Sequence, residues 1–115
     1  MITLRNYIDG AFSAPANGRY LDNLEPATGE VYSLIPDSGA EDVDRAVAAA
    51  KKAYPGWSAL TAAERSKHLL AVAHRIEERL DELAAAESRD NGKPLKLART
   101  VDIPRARESL VKVRV

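Results

Sequence analysis

The sequence predicts an α+β fold, with β-hairpins first and three to four amphipathic helices after them. Three observations predict it. Before residue 38, Asp-Gly and Pro-x-x-Gly turn signals separate short runs of alternating apolar residues. From Ser38 onward the apolar residues recur at three- and four-residue steps instead. Two patterns of Ser or Thr followed three residues later by Glu stand where helical periods begin. A length of 115 residues suits one domain, with hairpins over 1–37, helices over 38–106 and a tail of different composition over 107–115.

The first hairpin is read from Tyr7-Ile8-Asp9-Gly10-Ala11-Phe12, where Asp-Gly supplies the turn. Tyr20-Leu21-Asp22-Asn23-Leu24 alternates as a half-buried strand does, and Pro26-Ala27-Thr28-Gly29 turns the chain into Val31-Tyr32-Ser33-Leu34-Ile35. Ser38-Gly39-Ala40-Glu41 reads as a capping box, followed by one apolar face of Val43, Ala46, Val47, Ala50 and Ala53. Pro55-Gly56 is expected to end that helix. Thr61-Ala62-Ala63-Glu64 is a second capping box. It opens a long amphipathic stretch through Leu69, Val72, Ala73, Ile76, Leu80 and Leu83. A break near Asp81, a good N-cap residue, would divide this stretch into two helices, and Asn91-Gly92-Lys93-Pro94 stops it. Leu97, Ala98 and Val101 mark a last helix, which Pro104 either kinks or restarts. The alternation Val111-Lys112-Val113-Arg114-Val115 suits a strand better than a helix.

Composition excludes several classes. With 17 basic and 17 acidic side chains, the chain lacks the cationic excess of a nucleic-acid binder. No Cys means no disulfide framework, no thiolate-bound metal and no thiol nucleophile. No apolar run approaches a membrane span and no signal pattern opens the chain, so a cytoplasmic protein without membrane partners is expected. His68 and His74 are six apart and would point in different directions from one helix, which is no metal pair. Adjacent Glu77 and Glu78 read as solvated charges, Trp57 as a loop residue packed on the core, and the six glycines form no phosphate-binding motif. Residue chemistry alone leaves no complete active site.

Five segments occur in order: Asn6-Tyr7-Ile8-Asp9-Gly10, Glu25-Pro26-Ala27-Thr28-Gly29-Glu30, Asp42-Val43-Asp44-Arg45-Ala46-Val47, Ala63-Glu64-Arg65 and Arg89-Asp90-Asn91-Gly92-Lys93-Pro94. Together they resemble the N-terminal part of the NAD(P)-dependent aldehyde dehydrogenase superfamily, from about Asn6 to Arg105. Val101-Asp102-Ile103-Pro104-Arg105 is similar to the branch acting on 2-hydroxymuconic and 2-aminomuconic semialdehydes from aromatic-compound catabolism.

The resemblance implies the N-terminal part of the aldehyde dehydrogenase fold and an oxidoreductase that oxidises a small aldehyde to a carboxylic acid. It places the Cys nucleophile, the Glu base and the dinucleotide site in later parts of a much longer chain. This chain is therefore expected to contribute no catalytic residue, to bind no NAD(P) by itself and to be inactive alone. After Arg105-Ala106 the family continues with an aromatic-rich helix, whereas here the text is Arg107-Glu108-Ser109-Leu110 and onward, so a truncated gene product is expected. A small non-catalytic module binding a partner protein is the alternative. Two sites carry over. Arg105 corresponds to the anchor of the substrate carboxylate, against an ordinary surface arginine. Asn23 and Leu24, through their carbonyls, and Asp90 correspond to ligands of a weak monovalent cation. Apolar faces bearing Val43, Val47, Leu69 and Ile76 would lack cover, so self-association is expected.

Overall fold

The computed structural model describes residues 1–113, in two units, Met1–Ser58 and the chain from Ala59 onward. In the first unit, β2 (Asn6–Ile8) and β3 (Ala11–Ser13) form the expected hairpin, with Tyr7 opposite Phe12. Asp9 and Gly10 both take positive φ, 51° and 79°, the pair a two-residue primed turn requires. The Tyr7 and Phe12 rings pack at 5.0 Å across the strands. β4 (Tyr20–Glu25) and β5 (Glu30–Pro36) make the second hairpin. The Gly29 amide donates to the Glu25 carbonyl at 2.8 Å to close its turn. β1 (Ile2–Thr3) pairs parallel with β5, giving the order β1-β5-β4. A two-residue strand carries no periodicity, so the sequence is silent about it.

α1 (Ala40–Ser58) corrects two expectations. Its cap is not the predicted Ser38–Glu41 box. The Ser38 hydroxyl is engaged with both polar atoms of the Asn6 carboxamide, at 2.8 and 3.2 Å. The returning carboxylate belongs to Asp42, one residue later. It is buried, and accepts from the Gly39 amide at 3.3 Å and the Ala16 amide at 3.1 and 3.2 Å. Pro55-Gly56 does not end the helix either; α1 runs on to Ser58, with Trp57 inside it and 41% exposed rather than packed in a loop. Pro55 lies in the last turn, where a missing amide frees only the Lys51 carbonyl to water, and the Ser58 hydroxyl donates to the Pro55 carbonyl. The predicted apolar face is exposed, at 57% for Val43 and 46% for Val47.

In the second unit, α2 (Ala62–Glu78) begins at the predicted capping box. The Glu64 amide donates to Thr61 Oγ1 at 3.2 Å, and the Thr61 amide donates back to Glu64 Oε2 at 2.8 Å. α3 (Leu80–Asn91) follows after a break at Arg79, φ −108° and ψ 21°, so Asp81 is a first-turn residue and not the cap. Gly92, at φ 75°, ends α3 in the left-handed region as Asn91-Gly92 predicts. Then come a single turn, α4 (Leu95–Leu97), a π-helical segment over Ala98–Asp102, and α5 (Ile103–Lys112). Buried Ala73, Ala84 and Ala98 allow close approach of these elements, and half-buried Ile103, Arg107, Leu110 and Val111 form the packed face of α5. Val111 and Lys112 are helical, not strand; half-buried Val111 continues the packed face, which outweighs strand propensity. The remaining tail residues, Arg114 and Val115, lie outside the described residues. Among the described residues no helix is long and apolar enough to cross a membrane.

The Thr61 hydrogen bonds, backbone first and then side chain, hold the Glu64 carboxyl below its ordinary value of 4.5. A depressed carboxyl stabilises the fold above its unfolded value and stops doing so as pH falls through the folded one. The thermal midpoint of Glu64→Gln is therefore expected below that of the parent at pH 7. The gap should close on acidification from about pH 5 to pH 3. Parallel melting curves with a constant gap would refute this.

Candidate functional site

Arg105 sits in the first turn of α5, preceded by Pro104, and is exposed. Of the four cations from Arg99 to Lys112, three have partners within the unit. Arg99 Nε meets Asp81 Oδ1 at 2.5 Å, Arg107 Nη2 meets Glu77 Oε2 at 3.3 Å and Lys112 Nζ meets Glu108 Oε2 at 3.3 Å. The Arg105 guanidinium has no hydrogen bond or ion pair among the described residues; its carbonyl accepts from the Ser109 hydroxyl at 2.9 Å. A planar, permanently cationic fork thus projects from a well-anchored helix.

The direction of that fork depends on the π segment. In an unbroken α-helix a residue seven positions beyond buried Ala98 would return to the same face. The Ile103 amide donates instead to the Ala98 carbonyl, five residues back, and the wider turn delays the rotation by roughly one residue, about 100°. Arg105 is thereby turned about 120° from the face of Ala98, and the helical spacing within α5 sets it opposite Ile103 and Arg107. Pro104 accounts for the widening, since its ring excludes an amide hydrogen and crowds the preceding turn. The sequence marks Pro104 as a kink or a restart of the last helix, but not the phase that results.

The π segment is tied down at its last residue. Lys93 Nζ donates to Asp102 Oδ2 at 2.6 Å, with the two side chains 36% and 28% exposed. Lys93 is itself fixed through its backbone: its amide donates to Asn91 Oδ1 at 2.8 Å, and its carbonyl accepts from the Ser88 hydroxyl at 2.6 Å. No local pattern marks either residue of this ion pair, nine positions apart, although each belongs to a segment that carries the family resemblance.

The three cation-ligand candidates divide between the units. Asn23 and Leu24 flank an irregularity in the register of β4 with β5, and β4 is an edge of its sheet. The Asn23 carboxamide donates to Tyr32 Oη and Ser33 Oγ, both at 3.1 Å, which engages its side-chain nitrogen. Asp90 is the next-to-last residue of α3 and is exposed. Of the histidines, His74 faces Glu78 at 3.3 Å within α2. Among the described residues no group of three or more His, Cys, Asp or Glu could hold a metal ion.

The strand-to-helix junction from β5 to α1 is the kind of place where helix amides receive a phosphate. Here the Asp42 carboxylate already occupies it, taking the Gly39 amide.

A model of the aldehyde dehydrogenase family matches residues 12–113. The chain belongs to the aldehyde dehydrogenase family. This dehydrogenase-family chain is 52% identical over 105 residues to 2-aminomuconic semialdehyde dehydrogenase of Danio rerio, covering 91% of the chain and 21% of that protein. Against PnpE solved with nicotinamide adenine dinucleotide the TM-score is 0.92 at 44% identity, covering 95% of the chain and 22% of PnpE. PnpE from Pseudomonas sp. WBC-3 gives 0.93 at 43% identity, covering 96% and 23%. The chain thus spans about a fifth of the length of the relatives it matches. The hairpins-then-helices α+β arrangement is that of the matching part of these structures.

Proposed function

We propose that the chain is a segment of a cytoplasmic NAD(P)-dependent semialdehyde dehydrogenase, inactive alone, whose Arg105 anchors a substrate carboxylate. The observation that carries this reading is the exposed Arg105 guanidinium, without a carboxylate partner among the described residues while its neighbouring cations are paired. A semialdehyde bearing a carboxylate has the complementary group, and its aldehyde end would lie away from the anchor. The chain has no Cys to form a thiohemiacetal, so hydride transfer needs residues it does not contain. Nucleic acid and membranes have no part in this reading.

The purified chain is expected to reduce no NAD with any aldehyde, and the exposed Val43 and Val47 are expected to promote self-association. A hybrid in which residues 1–113 replace the matching segment of PnpE should oxidise aldehydes. Turnover by the chain alone, from protein shown free of host dehydrogenase, or a folded but inactive hybrid, would refute the proposal.

The family resemblance further implies a weak monovalent cation, to whose ligands the Asn23 and Leu24 carbonyls and Asp90 correspond. Hard cations take such oxygen ligands. Sodium or potassium should raise the melting temperature of the chain slightly, and Asp90→Ala should abolish that dependence. An unchanged salt response in the variant dismisses the site.

A further inference from the structure

We propose that Lys93 and Asp102 are positioning residues for substrate selection: their ion pair fixes the end of the π segment and so sets the direction of Arg105. The inference rests on the reading of Arg105 as the carboxylate anchor. Asp102 is the last residue before α5, three positions ahead of Arg105, and any change in the winding there turns the guanidinium about the helix axis. A π turn is a less regular arrangement than the α-helix on either side and needs outside support to persist.

Among the described residues three ion pairs reach the stretch from Arg99 to Arg107, and they are not equivalent. Arg99–Asp81 is exposed at both ends, 57% and 74%, and Arg107–Glu77 is little better at 41% and 57%. Pairs of that kind contribute little. Lys93–Asp102, at 2.6 Å, is the least exposed of the three, 36% and 28%. It also has the stiffest base. Lys93 is bonded at its amide by Asn91 and at its carbonyl by Ser88, and Pro94 follows it. The anchor for Asp102 is thus a turn with little freedom of its own. Pro104 widens the helix, and the Lys93 ammonium selects one placement of the widened turn.

The test uses the hybrid described above, with KM and kcat measured for a carboxylated semialdehyde and for a neutral aldehyde of equal length. Asp102→Asn and Lys93→Met are each expected to raise KM for the carboxylated substrate about tenfold relative to the neutral one, with kcat moving less than about twofold. Lys93→Arg, and the charge-swapped pair Lys93→Asp with Asp102→Lys, should recover most of that ratio. A purely structural role would raise both KM values together, or lower kcat for both, and would overturn the proposal. Arg105→Ala separates the two readings. If it leaves the KM ratio unmoved, the anchor reading fails; if it moves the ratio while Asp102→Asn does not, only the positioning role fails. Amide exchange on the 115-residue chain gives a second measurement, should a hybrid variant fail to fold. Asp102→Asn should speed exchange about tenfold at Ala106 and Arg107 while leaving the middle of α2 unchanged. Unchanged exchange at Ala106 and Arg107 overturns the proposal.

Discussion

Asp42→Ala is expected to destabilise the first unit by about 2–4 kcal/mol, whereas Glu41→Ala one residue earlier should change it by less than about 0.5 kcal/mol. The contrast follows from which carboxylate returns to the start of α1. Asp42 is 3% exposed and accepts from two amides on separate parts of the chain, Gly39 at the helix start and Ala16 between β3 and β4. Removing it leaves both donors without their acceptor, at about 1–3 kcal/mol for each group that water cannot reach. It also takes away the nearest carboxylate of Arg45, 3.8 Å distant, though that guanidinium keeps its bond to the Ser13 hydroxyl. Asp42→Asn should fall between, because a carboxamide offers one acceptor oxygen where the carboxylate offers two. Urea unfolding followed by Trp57 fluorescence measures all three variants. Equal effects of Asp42→Ala and Glu41→Ala would return the cap to the Ser38–Glu41 box that the spacing alone suggests.

Asp42 also shows where the sequence stops being legible. A capping box is a local pattern, and Thr61–Glu64, whose partners lie within three residues of one another, forms as read. At Ser38 the same pattern loses to Asn6, 32 residues away, which takes the hydroxyl. The hairpins were legible for the local reason: Asp9-Gly10 supplies two positive φ values, and few other dipeptides accept them. β1 was not, because its pairing with β5 comes from register with a distant strand. Pro55 reads as a stop only if it lies inside a helix, and its place in the final turn depends on how far α1 extends.

The family segments gave Arg105 its role by resemblance, yet nothing in their spacing could say whether its side chain faces the core or solvent. That depends on the π segment. In turn the π segment depends on Pro104, which the sequence displays, and on the Lys93–Asp102 contact, which it does not. The apolar face of α1 taught the converse lesson. Val43 and Val47 recur at helical spacing, and the periodicity correctly gave the helix. Periodicity reports which side is apolar, not whether anything covers it: Val43 and Val47 are exposed, whereas Leu69 and Ile76 of α2, expected to lack cover as well, are half-buried.

Arg105→Ala, made in the hybrid with PnpE, should weaken a carboxylated semialdehyde by about 1.5–3 kcal/mol, some 10- to 150-fold in kcat/KM relative to a neutral aldehyde. The magnitude is that of one charge-assisted, two-pronged hydrogen-bond set, and the remote carboxylate takes no part in bond making. Most of the loss should therefore fall on KM, with kcat reduced only so far as the substrate sits less squarely. Arg105→Lys should recover part of it, since an ammonium keeps the charge but presents no planar fork. The neighbours supply the control that a structural explanation would fail. Arg107 lies two residues on, is half-buried and pairs with Glu77, so Arg107→Ala should loosen α5 and lower the melting temperature without favouring either substrate. Loss of stability from Arg105→Ala equal to that from Arg107→Ala, with no change in the preference between the two aldehydes, would make Arg105 a helix-surface residue. A preference lost at unchanged melting temperature is the signature of a guanidinium held outward for a ligand.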